Sequence, residues 1–149
     1  MFVSTSLNES FETVSLMIDE SGVAHLALNR PEVHNAFNEA MIDELTHCFR
    51  LLSSSDTVRL VVLSSNGSVF CAGADLAWMK RASANDPDGN QLDATRFADM
   101  MHAIYGCKKP VIARVVGVHR ILTHRGCGHF LGLGYVVNPK LSRYSMGLR

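Results

Sequence analysis

Between residues 39 and 52, six apolar side chains (Met41, Ile42, Leu45, Cys48, Phe49 and Leu52) recur at intervals of three and four. That spacing puts them on one stripe of an α-helix and predicts a helix over 39–52 with a single buried face. Asn38 stands where an N-cap is needed, and Ser53, Ser54 and Ser55 end the run. A one-sided helix needs a partner surface, and the flanking sequence supplies one. Residues 13–18 alternate, with Val14, Leu16 and Ile18 on one face. Residues 23–28 alternate again after Asp19-Glu20-Ser21-Gly22, which predicts a β-hairpin. Downstream, 60–63 is a continuous apolar run, the pattern of a strand covered on both faces. Residues 80–89 are polar and predict a solvated connection. A second helix is predicted over 91–105, with Leu92, Phe97, Met100, Met101 and Ile104 inward, and a further strand over 110–116. Hairpin, helix, strand, helix, strand is an α/β order with crossover helices.

Composition narrows the partners. The 149 residues are 47% hydrophobic and 19% charged, which suits one domain with a real core and not a disordered chain. Fourteen basic and fourteen acidic side chains cancel, so neither nucleic acid nor an anionic membrane surface is expected as a partner. No apolar run approaches the ~20 residues of a membrane helix. Cys48, Cys71, Cys107 and Cys127 form no paired-spacing motif, and no export signal is visible at the N-terminus. Free thiols in a reducing, cytoplasmic setting are the expectation. Residues 1–11, polar and Ser-rich over the first ten, are expected to be a flexible tail.

One stretch carries chemistry. Ser68-Val69-Phe70-Cys71-Ala72-Gly73-Ala74-Asp75-Leu76 runs from apolar residues through three small ones to an acid, then into the apolar-periodic Leu76, Trp78 and Met79. Small side chains let a ligand approach the backbone, and Gly73 permits dihedrals that other residues resist. Unpaired N–H groups at a helix start can receive the negative charge of an activated thioester or a phosphate. A plain strand-to-helix turn with Asp75 as N-cap explains the same residues without a ligand.

This stretch resembles the thioester-binding loop of the enoyl-CoA hydratase/isomerase (crotonase) family. Leu28-Asn29-Arg30-Pro31-Glu32-Val33-His34-Asn35-Ala36-Phe37-Asn38 resembles that family's first substrate-binding loop. Lys108-Lys109-Pro110-Val111-Ile112-Ala113-Arg114-Val115-Val116-Gly117 resembles the strand leading to its second active-site loop. Order and spacing agree over residues 12–118. Within the family, Gly73-Ala74-Asp75-Leu76-Ala77-Trp78-Met79-Lys80 is most similar to methylglutaconyl-CoA and other branched glutaconyl-CoA hydratases.

The resemblance implies an α/β fold, a crotonase-like spiral of β-β-α units, here truncated, and assembly as homotrimers or hexamers. It implies a coenzyme A thioester as substrate, no other cofactor and no metal. By residue-by-residue carry-over, the Ala74 backbone N–H is the first oxyanion donor for the enolate formed as water adds to a 2-enoyl-CoA. Ala72, Gly73, Asp75 and Leu76 line the nucleotide and pantetheine path, and Val33, His34 and Ala36 face it. Arg30 either approaches the CoA phosphates or pairs with a nearby acid at the surface. Glu32, Glu39, Asp43 and Glu44 match no catalytic position of the family, nor do His34 and His102, and Cys71 is expected to be packing.

After Gly117 the pattern departs. Val118-His119-Arg120-Ile121-Leu122-Thr123 replaces the family's glycine run, which carries the second donor, and the catalytic glutamates have no counterpart. Residues 119–149 hold basic side chains and no Asp or Glu. They are expected to be an aberrant, poorly structured tail from a shifted reading frame. His119, His124, Cys127 and His129 match no common zinc spacing, and Gly126, Gly128, Gly132 and Gly134 match no phosphate loop. Two functions follow: an enoyl-CoA hydratase-type lyase, or a catalytically incomplete member that at most binds acyl-CoA. Without covering helices, 111–116 is expected to be exposed and the C-terminal half loosely packed.

Overall fold

The computed structural model describes residues 10–116 and the two-residue strand at 135–136. The hairpin forms as the alternation predicts. β1 (Val14–Ile18) pairs antiparallel with β2 (Val23–Leu28), in a register that sets Val14 opposite Leu28 and Ile18 opposite Ala24. Its turn is held by the Asp19 carboxylate, which accepts from the Ser21 hydroxyl and from the Ser21 and Val23 N–H groups. The Ser21 hydroxyl and Val23 N–H, aided by His25, outweigh desolvation and hold the Asp19 carboxyl well below the usual carboxylate range.

α1 (Glu39–Ser54) buries the six residues of its apolar stripe. The Asn38 side chain caps it by accepting from Met41 N at 3.0 Å. The helix carries the chain back so that β3 (Leu60–Ser65) runs parallel to β2. α2 (Leu76–Ala82) and α3 (Pro87–Tyr105) form the next crossover, and β4 (Val111–Ala113) lies parallel to β3. β5 (Tyr135–Val136) closes the sheet antiparallel to β4, giving the order β1-β2-β3-β4-β5. The α/β order read from the sequence is the observed one.

The core lies where the apolar face of the sheet meets α1 and α3. Val14, Leu26, Leu28, Val61 and Val111 from the sheet meet Ile42, Leu45, Phe49, Met100 and Ile104 from the helices. Glu44 fastens α1 to β1, accepting from the Glu12 and Thr13 N–H groups and from the Thr13 hydroxyl. Phe11, assigned to the tail by its sequence, packs against this core and lies 6.3 Å, centroid to centroid, from the exposed His47 ring.

Several expectations are corrected. β3 is not covered on both faces along its apolar run, because Leu60 and Val62 are only half-buried while Val61 and Leu63 face the core. The polar connection 80–89 is mostly helical, since α2 extends to Ala82 and α3 starts at Pro87. Leu92 and Met101 are exposed, because the face of α3 that meets the core is the one carrying Met100 and Ile104. The strand predicted over 110–116 is three residues long. Val111, Ala113 and Val115 are buried against the core and not exposed, and Val116 alone of that group is a large exposed apolar side chain. The His119, His124, Cys127 and His129 cluster, and nearly all of the 119–149 tail, lie outside the described residues.

Candidate functional site

The two loops singled out in the sequence are stitched together. The loop after β2 turns through the short 3-10 segment Pro31–Val33 and then through His34 and Asn35, both at φ 54°. Left-handed backbone suits asparagine better than most residues, since its short polar side chain can bond locally. Asn35 is fully buried, and its side chain satisfies three main-chain groups. Its Oδ1 accepts from Arg30 N at 2.8 Å, and its Nδ2 donates to Asn66 O at 2.8 Å and Val69 O at 2.9 Å. At the Asn66-Gly67 turn the loops nearly touch: a Cβ on Gly67 (φ 86°) would lie 2.9 Å from Pro31 Cβ.

The second loop joins the first as a short parallel ladder. Ala72 N donates to His34 O at 3.0 Å, Phe37 N to Gly73 O at 2.8 Å, and Asp75 N to Phe37 O at 2.8 Å. Gly73 sits at φ 98°, outside the comfortable range of residues with a Cβ. A trans peptide is planar, with its N–H opposed to its C=O. The bond from Phe37 N therefore fixes the whole Gly73–Ala74 peptide and turns the Ala74 N–H away from the residue-37 main chain. Among the described residues, no acceptor is paired with that N–H.

Asp75 is consumed locally. One carboxylate oxygen accepts from Ala77 N at 2.8 Å and Trp78 N at 3.1 Å, capping α2. The other lies 2.9 Å from Arg30 Nη2. Burial alone would raise this carboxyl, but the Trp78 N–H, the Arg30 guanidinium and the Ala77 N–H together hold it below its ordinary value. Two expectations change here. Two of the N–H groups at the helix start, those of Ala77 and Trp78, are taken by Asp75 and not by a ligand. The Arg30 side chain is 16% exposed and donates from Nη1 to Ala36 O at 2.7 Å as well as to Asp75. Pairing with an acid is the observed alternative, in the interior and not at the surface.

The remaining site residues divide by exposure. Val33, His34, Ala72 and Leu76 are exposed, whereas Ala36, Gly73 and Asp75 are buried. Ala74 lies between these groups, on the wall of an apolar cleft of about 300 Å³ lined by Phe37, Trp78, Met79, Ala82, Asp93, Ala94 and Phe97. The Phe37 and Phe97 rings meet edge to face at 6.4 Å. The buried Trp78 indole N–H has no hydrogen-bond partner. Asp93 is the carboxylate on the lining, and it accepts from Asn85 Nδ2 at 3.3 Å. Burial pushes the Cys71 thiol up, in keeping with packing and not nucleophilic attack. Sequence reasoning missed the cleft, because α2 and α3 are separated by a segment read as loop. It also passed over Asn35, whose quoted motif gave no sign of its three main-chain bonds.

The chain is similar to a known family, to named proteins and to solved structures. The model of the family described as "Enoyl-CoA hydratase/isomerase" matches residues 19–133. The chain belongs to the enoyl-CoA hydratase/isomerase family. It is similar to the human mitochondrial Delta(3,5)-Delta(2,4)-dienoyl-CoA isomerase, 33% identical over 119 residues, covering 74% of this chain and 36% of that protein. It is also similar to the 1,2-epoxyphenylacetyl-CoA isomerase of Escherichia coli, 37% identical over 120 residues, covering 77% of this chain and 42% of the relative. Among solved structures, an enoyl-CoA hydratase from Shewanella pealeana superposes with a TM-score of 0.71 at 33% identity, covering 73% of this chain and 41% of that one. The fold is thus the crotonase-like mixed α/β fold. The relatives named here are two isomerases and an enoyl-CoA hydratase, and they do not single out the glutaconyl-CoA hydratases that residues 73–80 resemble. The chain spans about two fifths of the length of the proteins it matches. Among the described residues no helix is long and apolar enough to cross a membrane.

Proposed function

We propose that this chain carries the first half of an enoyl-CoA hydratase/isomerase-type site. An acyl-CoA thioester docks with its carbonyl on the Ala74 N–H and its acyl group in the apolar cleft. The observation that carries this is the Gly73–Ala74 peptide, pinned through Phe37 with the Ala74 N–H unpaired among the described residues, at a residue that lines the cleft. A donor held in place before the reaction stabilises enolate charge without reorganising, and one such donor typically lowers a barrier by about 2.7–4 kcal/mol. Val33, His34, Ala72 and Leu76 offer an exposed path for the pantetheine and nucleotide, and Ala36, Gly73 and Asp75 shape it from beneath.

Water addition to a 2-enoyl-CoA is the reaction proposed, and the branched glutaconyl-CoA preference rests on residues 73–80 alone. The acyl-CoA is the partner in this reading; homotrimer or hexamer assembly belongs to the resemblance to the family and is no part of the proposal for this chain. The absence of a paired-spacing motif among Cys48, Cys71, Cys107 and Cys127 in the sequence supports a reducing compartment such as the cytoplasm.

A second reading, acyl-CoA binding without turnover, is favoured by one observation. Asp75 is spent on α2 and Arg30, which leaves Asp93 as the carboxylate lining the cleft. Loss of enoyl-thioester absorbance with crotonyl-CoA and with a branched glutaconyl-CoA separates the two. Turnover above a buffer blank supports the hydratase reading. Binding of a thioester without turnover supports the second, and no binding by folded protein defeats both.

A further inference from the structure

We propose that Arg30 is a positioning residue for the Ala74 N–H, acting through a relay of two hydrogen-bonded peptide groups. This rests on the acyl-CoA reading above. The relay begins at Arg30 Nη1, which donates to Ala36 O at 2.7 Å. The Ala36 carbonyl shares a peptide with the Phe37 N–H, which donates to Gly73 O at 2.8 Å. The Gly73 carbonyl in turn shares a peptide with the Ala74 N–H. A positive charge therefore sits at one end of an aligned row of peptide dipoles, and the unpaired donor sits at the other.

Two consequences follow. A charge-assisted bond to a carbonyl draws electron density from that peptide and makes its N–H a better donor, and successive bonds reinforce one another by about 10–30% each. The same guanidinium also fixes the geometry, because Nη2 holds Asp75 while Asp75 N donates to Phe37 O. Arg30 thus grips the chain on both sides of Ala74. Its own backbone N–H is held by the Asn35 side-chain Oδ1 at 2.8 Å, so the base of the relay is fixed as well. Lysine keeps the charge but is a compact point donor and does not reproduce the fork that spans Ala36 and Asp75.

The test compares a thioester with its thioether. Hexanoyl-CoA and S-hexyl-CoA share the nucleotide, pantetheine and apolar chain, and only the first has a carbonyl for Ala74. The full chain is expected to bind the thioester about fivefold more tightly, the worth of one net hydrogen bond. In Arg30→Gln and Arg30→Lys the ratio is expected to fall towards one while the thioether Kd stays unchanged. A ratio retained in both folded variants overturns the relay and leaves the acyl-CoA reading standing. An equal loss for both ligands also overturns it, assigning Arg30 to the CoA body or to general stability. A wild-type ratio of one defeats the acyl-CoA reading and the relay with it. Arg30→Lys, which keeps a cation beside Asp75, carries the test if Arg30→Gln does not fold.

Discussion

The Arg30 guanidinium lies 2.9 Å from the Asp75 carboxylate, and the two side chains are only 16% and 10% exposed. This pair joins the loop after β2 to the start of α2, and the donor peptide of Ala74 lies between them. Removing one partner leaves a buried charge uncompensated, so Asp75→Ala is expected to lower stability by about 3–5 kcal/mol. Urea unfolding followed by circular dichroism checks this, and a loss below about 1 kcal/mol would show the pair to be expendable. By contrast Arg81→Ala, which breaks the exposed Arg81–Glu39 pair at 2.9 Å, is expected to cost no more than about 1 kcal/mol.

Acid should weaken the fold through the same carboxylate. Desolvation raises the Asp75 carboxyl, but its bonds to Trp78 N, Arg30 and Ala77 N outweigh burial and depress it in the folded chain. The unfolded chain then takes up the proton first. The contribution of Asp75 is complete above the ordinary carboxylate value of about 4 and is lost as pH falls through the lower folded value. Asp19 at the hairpin turn acts with the same sign. Urea midpoints measured from about pH 7 downwards should fall at the acid end, and Asp75→Asn should flatten that limb. An unchanged acid limb in Asp75→Asn would assign it to other carboxylates.

How much of this was legible in the sequence depended on periodicity. The α1 stripe was fully readable, because six apolar residues at helical spacing leave one face to bury, and the Asn38 cap follows from local chemistry. The same holds for the hairpin and for Asp75 as the cap of α2. The early start of α3 was also written there, as Asp86-Pro87, an N-cap followed by proline in the first turn. Leu92 and Met101 were misplaced because apolar character alone does not say which side of a helix meets its neighbour. The partnerships Arg30–Asp75, Asn35–Val69 and Phe37–Gly73 have no period at all. They depend on how two loops distant in sequence meet, which only the assembled sheet determines.

Asn35 combines left-handed backbone with three side-chain bonds to the main chain, so two variants separate its roles. Asn35→Gly keeps the backbone freedom and loses the bonds, leaving buried groups unsatisfied at about 1–3 kcal/mol each. Asn35→Ala loses the bonds and adds roughly 1–2 kcal/mol for a Cβ in that region. Thermal or urea unfolding should rank wild type above Asn35→Gly and Asn35→Ala last. Equal stability of the two variants would remove the backbone part of the account.

Gly73 at φ 98° sets the plane of the donor peptide. Gly73→Ala should either store about 1–3 kcal/mol of strain or rotate that peptide out of place. In both cases affinity for an acyl-CoA thioester should fall more than affinity for the matching thioether. Isothermal titration with the two ligands checks this, and undiminished preference for the thioester would show that the glycine is not needed to aim the donor.

The most direct test of the central claim watches the Ala74 amide itself. In a ¹⁵N-labelled chain with Ala74 assigned, addition of butyryl-CoA should move the Ala74 amide proton downfield as it bonds to the thioester carbonyl. The thioether S-butyl-CoA should bind without producing that shift. A Ala74 proton that stays in place, or that moves equally with both ligands, would contradict the assignment of this N–H as the carbonyl donor.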